Sequence, residues 1–222
     1  MSPAHADRPS RRNMLRASAG LALAGASRAS TSAEQSAVAK GRIKQSVCKW
    51  CYPKSSLEEL AEAAAAMGLA GIDLLGPDDF RTVQAHGLVC TMTGSHGIAD
   101  GLNDPKNHAK CLELINRGIE ANQKAGFKNV ICFSGNRRGM DDKTGLKNCV
   151  AALQEITPVA ENAGVVINME LLNSRVDHAD YMCDKSEWGV ELVKQVGSDN
   201  FRLLYDIYHM QIMEGDVIRS IQ

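Results

Sequence analysis

Six short apolar runs recur along the chain, each followed by a helix-patterned stretch, and this alternation limits the fold more than any other feature. Strands separated by a helix run parallel, because the crossover returns the chain to the same end of the sheet. The runs are Ile43 to Cys48, Gly71 to Leu75, Leu88 to Thr93, Asn129 to Phe133, Val165 to Glu170 and Phe201 to Asp206. Ser55 to Met67 reads as a helix, with Ser56 and Glu59 at capping-box spacing and Gly68 placed to stop it. Asp78 to His86 is a shorter one. Asp104 caps a long helix with Pro105 at its first position, and Cys111, Ile115 and Ile119 keep helical spacing until Gly126. Asp142 to Ala163 follows, with Pro158 expected to kink or split the axis. Asp184 and Glu187 open a helix through Val196, and another begins near Glu214. The fold class is therefore α/β.

Eight such units close a (β/α)8 TIM barrel, and about six are present. The expectation is an incomplete barrel over residues 41–222, with strands seven and eight missing. An open, doubly wound six-stranded sheet is the competing architecture.

Residues 1–40 read differently. Ser10-Arg11-Arg12-Asn13-Met14-Leu15 precedes a small, weakly apolar run from Ala17 to Ala26. This is the pattern of a twin-arginine export leader, which predicts a periplasmic destination; a basic arm in a cytoplasmic protein is the alternative. The whole chain has 25 Lys and Arg against 26 Asp and Glu; without that leader 19 remain against 24, a net of −5. An acidic body argues against a nucleic-acid partner, whose binding draws on clustered Lys and Arg. No run is long and apolar enough for stable membrane anchoring.

Seven cysteines, at 48, 51, 90, 111, 132, 149 and 183, are scattered through strand and helix patterns and read as reduced core residues. Cys48 and Cys51 have redox spacing, but they follow a strand rather than open a helix, where the dipole would activate a thiol.

Two carboxylates end successive apolar runs. Glu170 and Asp206 lie 36 positions apart, one strand-helix repeat, so they occupy neighbouring strand ends at one mouth of the sheet. Ligands converge there in α/β barrels, and paired carboxylates suit a divalent ion such as Mn²⁺ or Mg²⁺. Each carboxylate could instead cap the next helix or pair with a nearby cation. Lys49 after the first strand, His96 after the third and Arg137 after the fourth are further strand-end candidates; an Arg there could clamp a substrate carboxylate.

The segments Glu170-Leu171-Leu172-Asn173 and Asp206-Ile207-Tyr208-His209 resemble the xylose-isomerase-like barrels of the sugar isomerase and epimerase superfamily, and within it the hydroxypyruvate isomerases. The resemblance covers most of residues 43–222. It implies a metal held by Glu170 and Asp206 together with a His or Gln and a Glu from strands seven and eight. It makes Glu170 an acid–base residue, Asp206 a ligand, and His209 a partner of substrate oxygens, with Asn173 facing the pocket. The implied activity is isomerisation of a small hydroxy-carbonyl acid, hydroxypyruvate to tartronate semialdehyde. Ser174 and Val176 stand where ketose epimerases carry other residues, which weighs against epimerisation. A noncatalytic sugar- or partner-binding remnant, self-associating through strand edges, is the alternative from another class. An endonuclease-IV-like phosphodiesterase would need a histidine-rich zinc site, and six scattered histidines do not offer one.

Overall fold

A computed structural model describes residues 42–222, so the leader read from residues 1–40 lies outside the described residues. The strands are β1 (Ser46–Cys48), β2 (Gly71–Leu75), β3 (Val89–Thr93), β4 (Asn129–Cys132), β5 (Val166–Glu170) and β6 (Phe201–Leu204). The helices are α1 (Leu57–Ala66), α2 (Phe80–Ala85), α3 (His108–Ala125), α4 (Asp142–Ala163), α5 (Ser186–Val196), α6 (Ile207–Met213) and α7 (Val217–Ile221).

All five strand pairings are parallel, and the sheet order is β1-β2-β3-β4-β5-β6. A doubly wound sheet reverses its order at a switch point. The unbroken order here therefore excludes that alternative, and the fold is TIM-barrel-like. Among the described residues no helix is long and apolar enough to cross a membrane.

Local chemistry explains most boundaries. Ser56 Oγ accepts from Glu59 N at 3.1 Å while Ser56 N donates to Glu59 Oε2 at 2.8 Å, closing the expected capping box on α1. Gly126 and Gly164 end α3 and α4 with φ of 76° and 63°, a left-handed cap that glycine adopts without a Cβ clash.

Three expectations need correction, and one helix was not expected. Pro105 begins a single 3₁₀ turn, Pro105–Asn107, and α3 starts only at His108. The α4 helix is not split: it runs through exposed Pro158 over 22 residues. Asp184 does not open α5. Its carboxylate turns to Arg137, and the first turn is held by Glu214, whose carboxylate accepts from Ser186 N at 2.7 Å and Oγ at 2.8 Å. The helix expected near Glu214 is α7, and a further helix, α6, precedes it from Ile207, because Asp206 caps it through Tyr208 N at 2.8 Å and His209 N at 3.3 Å.

Two apolar clusters flank the sheet. The larger joins α3, α4, α5 and α6 to β4, β5 and β6 through residues such as Ile119, Leu153, Ile167, Leu192 and Met210. The smaller gathers α1, α2, β2 and β3 around Leu60, Ile72 and Val83, with the rings of Phe80 and Phe127 edge-to-face at 4.8 Å. Between them, β3 and β4 meet at one register position, Thr93 opposite Val130. Side chains strengthen this seam: Asn129 Nδ2 donates to Thr91 O at 2.9 Å, and Ser95 Oγ donates to Ile131 O.

Candidate active site

The carboxyl ends of the strands surround a cavity of about 910 Å³. In the β5–β6 ladder Glu170 pairs with Leu204, so Asp206 lies two residues beyond and faces the same mouth. Donor atoms of Glu170, Asp206 and His209 all fall within 4.8 Å of one another. The Glu170 carboxyl is pushed up to about 7, first by burial and then by the charge of Asp206. A divalent cation would relieve both costs, and two carboxylates supply the oxygen donors that hard and borderline ions take. The residues present therefore fit such an ion.

The backbone at Glu170 is anchored from below. Buried Tyr181 donates its hydroxyl to Glu170 O at 2.9 Å and accepts from Ser134 N at 3.0 Å, which ties the ends of β4 and β5 together. His209 is buried, and its Nε2 stands 3.9 Å from Asp206 Oδ2. Burial, the largest influence, holds its imidazole below its ordinary pKa, so it is neutral near pH 7. The rings of His178 and Tyr208 lie edge-on to it at 5.2 and 5.0 Å. Asn173 is fully buried and meets the site through His209, its Nδ2 lying 2.6 Å from His209 Nδ1.

Three expected site residues are engaged elsewhere. Arg137 does not reach into the cavity. Its guanidinium is held by Asp142 and Asp184, each at 3.1 Å, and by the carbonyls of Tyr181 and Met182. Lys49 Nζ donates to Tyr52 O at 3.2 Å in the turn after β1, and its neighbours Cys48 and Trp50 line the cavity instead. His96 uses both ring nitrogens on backbone: Nε2 accepts from Phe133 N at 3.4 Å, which leaves Nδ1–H to donate to Gly97 O at 3.0 Å. Cys48 does not suit redox chemistry either, since burial above all pushes its thiol up to about 12.

Several cavity residues have no strong sequence signal. Asp177, His178 and Tyr208 face the space, and Leu74 enters it from a left-handed backbone with φ of 57°. For the Asn173–Asp177 turn the one available signal was Asn173 itself, a residue type that often accepts from nearby backbone amides in turns.

An all-parallel strand-helix fold with paired carboxylates at its strand ends defines a class of barrel whose chemistry sits in one mouth. Residues 52–222 match the family described as the xylose isomerase-like TIM barrel, and the chain belongs to that family. Among its relatives, a 2-oxo-tetronate isomerase of Cupriavidus necator is 27% identical over 190 residues, covering 77% of this chain and 70% of the relative. A D-psicose 3-epimerase of Ruminiclostridium cellulolyticum is 32% identical over 148 residues, 62% of this chain but 50% of the epimerase. The chain thus spans between half and seven-tenths of these two relatives. A Brucella melitensis crystal structure, described as an AP endonuclease of family 2, superposes with a TM-score of 0.72 at 21% identity, covering 81% of this chain and 74% of that one.

Proposed function

We propose that the protein is a metal-dependent aldose–ketose isomerase of a small hydroxy-carbonyl acid, with hydroxypyruvate as substrate and tartronate semialdehyde as product. The observation that carries the reading is the meeting of Glu170, Asp206 and His209, whose donor atoms lie within 4.8 Å of one another at the carboxyl ends of the strands. Glu170 removes a proton from the hydroxyl-bearing carbon of the substrate. The resulting enediolate is reprotonated at the neighbouring carbon, and the hydroxyl proton passes between the two oxygens, so the atoms balance. Asp206 acts with Glu170 as ligand only. A Mn²⁺ or Mg²⁺ held there would polarise the substrate's carbonyl and hydroxyl and acidify the C–H between them. His209 faces the oxygen on which charge develops. The apolar wall of Ile98, Phe133 and Leu172 limits water at the reacting carbons. The Cupriavidus necator relative, named for an isomerase of an oxo acid, supports the isomerase class.

Ketose epimerisation is the second reading, favoured by the 32% identity to the psicose epimerase. Against it, Ser174 is turned to Asp184 at 2.5 Å, and Val176 is 68% exposed. The test supplies Mn²⁺ or Mg²⁺ and follows hydroxypyruvate and D-psicose in parallel. Hydroxypyruvate turnover that falls at least about 10³-fold in Glu170→Gln, with the fold kept, is the expected result. Epimerisation alone, or full activity in Glu170→Gln, overturns the proposal.

A further inference from the structure

We infer that Asn173 is a positioning residue that fixes His209 as an Nε2–H donor aimed into the site and so keeps it from serving as a third metal ligand. The argument is one of hydrogen-bond accounting. Asn173 Oδ1 accepts from Val176 N at 3.0 Å and from Asp177 N at 2.9 Å. Backbone amides only donate, so the side-chain amide cannot be turned over without setting its NH₂ against two donors. Its Nδ2 therefore has two hydrogens to place. One goes to Asp177 Oδ2 at 2.7 Å, and the other points at His209 Nδ1 at 2.6 Å.

Nδ1 must then be the acceptor, and the single ring proton of the neutral imidazole sits on Nε2. That nitrogen is the one turned toward Asp206, at 3.9 Å, too long for a hydrogen bond and thus free to donate elsewhere. A ligand needs a lone pair at Nε2, which would put a second proton donor on Nδ1 against Asn173 across 2.6 Å. Distance alone would admit His209 to the ligand set; the tautomer removes it. Asp177 completes the device, since it also accepts from the Tyr208 hydroxyl at 2.8 Å and so holds the amide from the outside.

The tautomer assignment stands on geometry alone, while its catalytic consequence rests on the isomerase reading. The experiment separates the two. Protein labelled with ¹⁵N-histidine is examined by long-range ¹H–¹⁵N correlation at a pH where His209 is neutral. The expected signature is an unprotonated Nδ1 and a protonated Nε2. The double variant Asn173→Asp/Asp177→Asn keeps net charge and hydrogen-bond number but puts an acceptor opposite Nδ1. It should reverse the tautomer, tighten Mn²⁺ binding, and lower turnover by about 100-fold, as for a lost oxyanion donor. An Nδ1–H tautomer in the unaltered protein overturns the inference, as does an unchanged tautomer in a folded double variant. If the tautomer behaves as stated and no hydroxypyruvate is turned over, the isomerase reading fails and this one stands.

Discussion

The two sides of the sheet are built to different standards. From β4 to β6 the ladders keep four consecutive register pairs at each interface, and one large core backs them. From β1 to β3 the core is smaller, and the β2–β3 register shifts on both sides of Asp73. Glu170, Asp206, Asn173 and His209 all belong to the regular side. The irregular side contributes Cys48, Trp50, Asp73, Leu74 and Met92 to the cavity wall. The chemistry thus rests where the backbone is pinned, and the side that departs from regular pairing supplies only part of the pocket wall.

The contrast can be broken most directly by matched core truncations. Leu153→Ala, in the large core and 0% exposed, should cost about 3 kcal/mol, against about 2 kcal/mol for Leu88→Ala in the small one. Urea unfolding measures both, and equal losses would mean the two cores carry equal weight. Tyr181→Phe should cost about 2 kcal/mol, because it orphans Ser134 N and loosens Glu170 O in one step. Its turnover should fall more than its binding, and an unchanged rate would detach Tyr181 from the site.

The seam between the sides is open to a pH test. Burial, the leading influence, lowers the His96 pKa from its ordinary 6.5, so folding favours the neutral ring. The stability it brings is full above pH 6.5 and is lost as pH falls from there through the depressed folded value. In His96→Gln the acid limb of a stability–pH curve should flatten in part, since His209, shifted the same way, and the lowered carboxyls of Glu59, Asp141 and Asp177 keep the rest of the acid loss. An identical limb would show that His96 takes no part. The smallest effect is expected at Tyr205, whose hydroxyl is buried with no hydrogen-bond partner among the described residues. Tyr205→Phe should be neutral or stabilise by up to about 1 kcal/mol in thermal unfolding, and a clear loss would reveal a partner.

Periodicity made the strands legible, since a strand followed by a helix writes its pattern over a dozen residues. Glu170 and Asp206 were readable for the same reason, being placed one repeat apart. The α6 helix was not, because seven residues are too few to show a helical stripe and Asp206 was read as a strand end. Arg137 was misjudged because its partner Asp184 lies 47 residues away, and no local pattern announces such a pair. The role of Asn173 escaped for a related cause: its meaning depends on which of its atoms faces the histidine, and residue type alone does not say that.

Asp206 answers to two demands at once, one oxygen tied to the first amides of α6 and the other turned toward His209. Asparagine caps a helix as well as aspartate does. Replacing Asp206 by Asn would therefore remove a charge from the site while the fold registered almost nothing. On the proposed reading, an active barrel and a silent one of this design would be separated by a single nucleotide change that selection for stability alone would not resist.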